Sequence, residues 1–209
     1  GFVLAKAAAD IYDTNPDVEG LLLLQHGHFA FGDTARQSYE RIIEHTNLAA
    51  AALDLDGPTD IAARDYDALP DAVVDLRGAL AQCGGGSDTV PMPILDVRAN
   101  HSILEFLERR DIAQLLSRGV ASPDHVIRIK GRPLHLQRST WKQGAAAIAA
   151  AIASFQQDYK TYYSREVARS SQPKTMLSSL PSLVWMEGVG IIGVGASAKA
   201  ASVAADLGV

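Results

Sequence analysis

A chain of 209 residues, 47% hydrophobic and 21% charged, has room for one large or two small packed domains and the composition of an ordinary globular protein. A net charge of −5 with no lysine- or arginine-rich run argues against a nucleic-acid binder, and no apolar run is long enough to span a bilayer. One cysteine, Cys83, excludes an internal disulfide framework and fits a reducing, cytoplasmic compartment.

In chain order, Phe2, Leu4, Ala5, Ala8, Ile11 and Tyr12 lay an apolar stripe along a helix over 2–14. Asn15-Pro16-Asp17 is a turn. Four consecutive leucines predict a buried strand over 19–25, and a second short strand follows at 28–31. Asp33 or Thr34 caps a helix that runs to Ala52. Residues 56–68 read as a polar loop and 69–82 as a helix, which gives way to a glycine-rich loop where Cys83 has no partner ligands and is structural. Residues 94–98 form a strand, and 101–117 break into short helical pieces that end at Gly119. Ser122 to His125 reads as a turn into a strand at Val126–Lys130, where apolar and polar residues alternate. A long helix over 140–168, a polar loop over 170–179, a strand over 183–187 and a helix over 197–207 complete an α/β alternation. The first helix has no lead-in and the last stops at the final residues, so the chain reads as a piece of a longer protein.

His26 stands at the carboxyl end of the leucine strand, beside Gly27, where α/β proteins place their chemistry, and neutral imidazole is the commonest metal ligand among side chains. The plainer reading of such a histidine is a core residue bonded to a backbone carbonyl. His28, two positions on, faces the same side of a strand. The two ends of the chain also align without gaps at an offset of 163 residues: Gly27 falls on Gly190, Gly32 on Gly195, Thr34 on Ser197 and Arg36 on Lys199, whereas His26 falls on Val189. Gly188-Val-Gly190-Ile-Ile-Gly193 has the glycine spacing of a dinucleotide-binding loop, but the chain ends before the acidic residue expected about 20 residues on. Asp124 reads as a turn cap beside His125. His101 and His135 read as solvated histidines, and Glu40, Arg41, Glu44 and His45 as an exposed charged face. Tyr159 is followed directly by Lys160, without the spacing of dehydrogenase chemistry.

The strand with His26-Gly27, Gly32 and Ser38-Tyr39 resembles the class II aldolase/adducin family. Phe2 to Asp13, Asn15 to Gly20, Gln25 to Glu44, Ser122 to Arg128 and Val189 to Asp206 extend the likeness to bifunctional proteins of the rhamnulose-phosphate aldolase/alcohol dehydrogenase type, which join an aldolase-like region to a short-chain dehydrogenase. The resemblance implies a three-layer α/β/α fold with a second, degenerate repeat. It divides the chain into the C-terminal half of an aldolase-like domain (1–55), a helical connector (56–93) and a degenerate second unit (94–209). It implies zinc held by a histidine pair, a later histidine and a nearby glutamate, with the metal polarising the carbonyl of a sugar or sugar phosphate. Only His26 matches that set, as the later histidine. The pair and the glutamate would precede Gly1, so this stretch alone is expected to be metal-free and inactive, with no catalytic residue assigned. NAD(P) would serve a dehydrogenase domain elsewhere in a cytoplasmic homo-oligomer. Two other readings are a non-catalytic adducin-like oligomerisation or docking module, and a Rossmann domain beginning at 183–209.

Overall fold

The computed structural model describes residues 2–24, 27–53, 71–85 and 92–209. The expected polar loop at 56–68 and most of the glycine-rich loop after Cys83 lie outside them. The chain divides into two units, Gly1–Thr59 with Ala121–Pro123, and Asp60–Val120 with Asp124–Val209.

The first unit holds α1 (Phe2–Thr14), β1 (Gly20–Leu23), β2 (Gly27–Ala30) and α2 (Ala35–Ala52). β1 and β2 form an antiparallel ribbon in which Gly20 pairs with Ala30 and Leu23 with Gly27. A two-stranded ribbon has one face to cover, and here the leucines divide accordingly: Leu21 and Leu23 face a cleft of about 1020 Å³ that α1 also lines, while Leu22 and Leu24 are 74% and 87% exposed. The leucine strand is therefore not the buried strand expected from its composition. Tyr12 meets Phe31 edge-on in the cleft, at 5.6 Å between ring centres. None of the described residues of 2–53 is buried.

The second unit is a three-layer α/β/α sandwich. Its elements are α3 (Asp71–Cys83), β3 (Ile94–Arg98), α4 (His101–Leu107), α5 (Ile112–Ser117), α6 (Pro123–Ile129), β4 (Leu134–Leu136), α7 (Arg138–Trp141), α8 (Ala145–Val167), β5 (Leu183–Met186), β6 (Gly190–Gly195) and α9 (Ala198–Asp206). The sheet order is β3-β6-β5-β4, with β4 parallel to β5 and the other pairs antiparallel. Side chains alternate across a strand, so Val184, Met186 and Ile192 pack with α3 and α8 on one face. Leu183 and Ile191 pack with α4, α6 and α9 on the other. The helix stripes match this: Ile148, Ile152 and Phe155 recur every three or four residues along α8, as do Val73, Leu76 and Leu80 along α3.

Two stretches depart from expectation. Val126–Lys130 is not a strand but the body and end of α6. Pro123 opens this helix at a position where its missing N–H is no loss, Asp124 sits in the first turn, and Arg128 pairs with Asp124 at 3.2 Å. The turn at Ser122 to His125 is thereby replaced by a helix start. The helix expected over 140–168 is two helices, α7 and α8, parted at Gly144, whose φ is 90°.

Candidate metal site and the repeated hairpin

His26, the candidate ligand, lies with Gln25 outside the described residues. The strands around it are defined. Leu23 pairs with Gly27, whose φ of 140° is open to glycine and strained for other residues. The second unit repeats this pair: Met186 pairs with Gly190, whose φ is 141°. Each further pair of the first ladder, Leu22 with His28, Leu21 with Phe29 and Gly20 with Ala30, has its counterpart 163 residues on in Trp185 with Ile191, Val184 with Ile192 and Leu183 with Gly193. Thr34 and Ser197 then cap the following helices alike, each in extended backbone. Their hydroxyls accept the N–H of Gln37 and Ala200 at 3.1 and 3.2 Å. The sequence repeat is thus a repeat of register, of a positive-φ glycine and of the helix cap. In the second copy the place of His26 is taken by Val189, 1% exposed in the core.

His28 points at a neighbour that the sequence reading left on an exposed face. Its Nε2 lies 3.0 Å from Nδ1 of His45, and Nε2 of His45 lies 3.7 Å from the Glu19 carboxylate. Glu19 also accepts from Arg41 at 2.9 Å, and Arg41 donates to the Phe31 carbonyl. Arg41 and His45 stand one helical turn apart on α2, with side chains only 21% and 27% exposed. Ser38 donates to the Ala30 carbonyl at 2.8 Å and ties α2 to β2. The two imidazoles are thus hydrogen-bonded to each other, the donor set by their tautomers. Among the described residues no three His, Cys, Asp or Glu side chains converge on one point. A zinc site needs at least three protein ligands, so the described residues do not fit the ion.

In the second unit His135 is not solvated. It lies on β4 with its side chain 13% exposed, and its Nε2 is 3.1 Å from Oε1 of Glu187. Glu187 follows β5: its Oε2 accepts the Arg138 N–H at the start of α7, and its carbonyl accepts the Trp141 indole N–H at 3.1 Å. In the sequence Glu187 is only the last residue of the expected strand at 183–187; its partners His135 and Arg138 lie about 50 residues away in the chain. His101 is exposed, with Glu105 at 3.1 Å. Cys83 donates to the Ala149 carbonyl at 3.8 Å, and burial pushes its thiol pKa up, away from reactive thiolate.

The glycine run at 188–193 is not a nucleotide loop. Residues 190–195 are themselves a strand, folded back antiparallel on β5. Each glycine leaves room for a neighbour in the fold. A Cβ on Gly188 would lie 2.4 Å from the Arg138 guanidinium, one on Gly190 2.3 Å from the Arg98 carbonyl, and one on Gly193 2.0 Å from the Ala201 carbonyl of α9. The reading of 183–209 as the start of a Rossmann domain is corrected accordingly.

The family model described as aldolase class II, second domain, matches residues 67–209, well over half of the chain. The chain belongs to this class II aldolase family. The class II aldolase match takes in all of α3 to α9, the whole three-layer sandwich. The chain is also similar to "Uncharacterized oxidoreductase YuxG" of Bacillus subtilis (strain 168), at 24% identity over 205 residues that cover 94% of this chain and 29% of that protein. The chain therefore spans less than a third of the length of this relative. No solved structure matches it.

Proposed function

We propose that this chain belongs to the aldolase-type region of a longer enzyme that joins such a region to a nicotinamide-dependent oxidoreductase. His26 is one zinc ligand in that enzyme, and the remaining ligands come from elsewhere in the protein. The substrate class is a sugar or sugar phosphate, cleaved or formed at a carbon–carbon bond, and NAD(P) serves the oxidoreductase part. The setting is a cytoplasmic homo-oligomer. The observation that carries the reading is the doubled hairpin. Both copies keep one register, one positive-φ glycine and one cap, while the sequence has histidine in the first and valine in the second at the position before that glycine. The second copy is the degenerate one, serving as scaffold. The name of the Bacillus subtilis relative, an oxidoreductase, supports the coupling.

The test is the metal content of the intact protein, wild type against His26→Ala. Loss of zinc, together with loss of retro-aldol activity, is the expected result. Zinc content unchanged by the substitution rejects the ligand role. A second reading, a non-catalytic oligomerisation or docking module, is favoured by one feature: His28 and His45 are satisfied by each other and by Glu19. An intact protein that binds no metal yet forms the same oligomer would decide for that reading.

A further inference from the structure

Lys130 ends α6 in a conformation usually given to glycine. Its φ is 67°, and its N–H donates to the Val126 carbonyl at 3.1 Å. This makes it the left-handed residue just past the helix, a conformation disfavoured for a side chain other than glycine. The side chain turns inward, leaving the residue 6% exposed. Nζ donates to Ser182 Oγ at 3.0 Å and lies 5.3 Å from the centre of the Tyr159 ring. No carboxylate among the described residues forms an ion pair with it. A buried ammonium with a hydroxyl and a ring for company is an unbalanced charge.

That charge borders a cavity of about 620 Å³, a size common for small-molecule sites. Arg118, Arg132 and Arg165 line the same cavity; Asp158, also in its lining, engages Arg132 at 2.5 Å, and Glu166, outside the lining, engages Arg165 at 2.7 Å. The apolar wall is aromatic: Tyr159 and Tyr162 lie 6.1 Å apart between ring centres, with the Arg165 guanidinium 5.8 Å from the Tyr162 ring. With two of these four cations engaged by carboxylates, Lys130 and Arg118 leave an excess of two positive charges, which a dianion balances better than a single carboxylate does. The net charge of −5 and the confinement of these cations to one cavity argue for a small ligand rather than a nucleic acid.

We propose that this cavity binds a small phosphate monoester, its phosphoryl group taken by Lys130 and the arginines and its body laid against the two tyrosine rings. The proposal stands whether or not His26 binds metal.

Isothermal titration of the 209-residue chain with glycerol 3-phosphate, inorganic phosphate and glycerol tests it. Saturable binding of the ester and none of glycerol is expected. Lys130→Gly keeps the backbone conformation while removing the ammonium, and Arg118→Ala alters an exposed side chain. Each should weaken binding by about tenfold or more, with an unchanged circular dichroism spectrum. Absence of saturable ester binding overturns the proposal, as does equal binding by wild type and both variants. Binding of inorganic phosphate without the ester overturns the ester assignment.

Discussion

The ammonium of Lys130 ties protonation to folding. Burial lowers its pKa from the ordinary 10.5 to about 8. The unfolded chain therefore holds this proton more tightly than the folded one. Between those two values unfolding takes up a proton, so stability rises with pH across that window; below it, the full penalty of burying a charge applies. Lys130→Met should raise the melting temperature at about pH 7, and its advantage over wild type should shrink by about pH 10. Melting curves of the pair across that range check this, and a constant gap would mean that the charge is not the cause. None of this was legible in the sequence, where Lys130 ends an alternating run. Its inward turn depends on the φ of one residue and on Ser182 and Tyr159, both remote in the chain. His28 and His45 were hidden for a similar reason: they stand 17 residues apart and meet because α2 folds back over the ribbon.

At the scale of elements, the glycines of β6 decide how closely α9 can lie on the sheet. A Cβ on Gly193 would sit 2.0 Å from the Ala201 carbonyl and 2.6 Å from the Ala205 nitrogen, both backbone atoms. Gly193→Ala should therefore destabilise the chain by about 3 kcal/mol. Gly78→Ala, in α3 where nothing lies within 4 Å of the added carbon, should instead stabilise by about 1 kcal/mol. Denaturant midpoints of the two variants separate these outcomes, and similar midpoints would show that α9 gives way easily. Most elements were readable because their signals are local: the stripe of α3, the Thr34 and Ser197 caps, the strands at 94–98 and 183–186. Two failed for want of length. Over five residues Ile127 and Ile129 alternate as well for a strand as they fit a helix, although Pro123 and Asp124 pointed to the helix. β4 has three residues, too few to show any period. The glycines at 188–195 were visible, but a sequence does not say what fills the space that a missing side chain leaves.

At the scale of the whole molecule, one hairpin design occurs in two surroundings. In the second unit it is packed between helices, with Val184, Met186 and Ile192 buried. In the first, the corresponding Leu21, Leu23 and Phe29 line an open cleft, and no described residue of 2–53 is buried. Amide protection follows burial and cooperative packing more than hydrogen-bond pattern. Hydrogen exchange should thus be faster in β1 and β2 than in β5 and β6, by about a hundredfold or more, although the ladders share one register. Equal protection of the two hairpins would contradict this. The sequence revealed the doubling but not this contrast, since four leucines look alike whether or not a second layer covers them.

The placement of the indoles has a practical consequence. The chain has two tryptophans, Trp141 and Trp185. One donates to the Glu187 carbonyl and the other meets Phe106 edge-on at 5.3 Å, both within the sandwich. Emission excited at the tryptophan band is therefore a private optical reporter of that unit. The first unit has no tryptophan, and its tyrosines are Tyr12 on α1 and Tyr39 on α2.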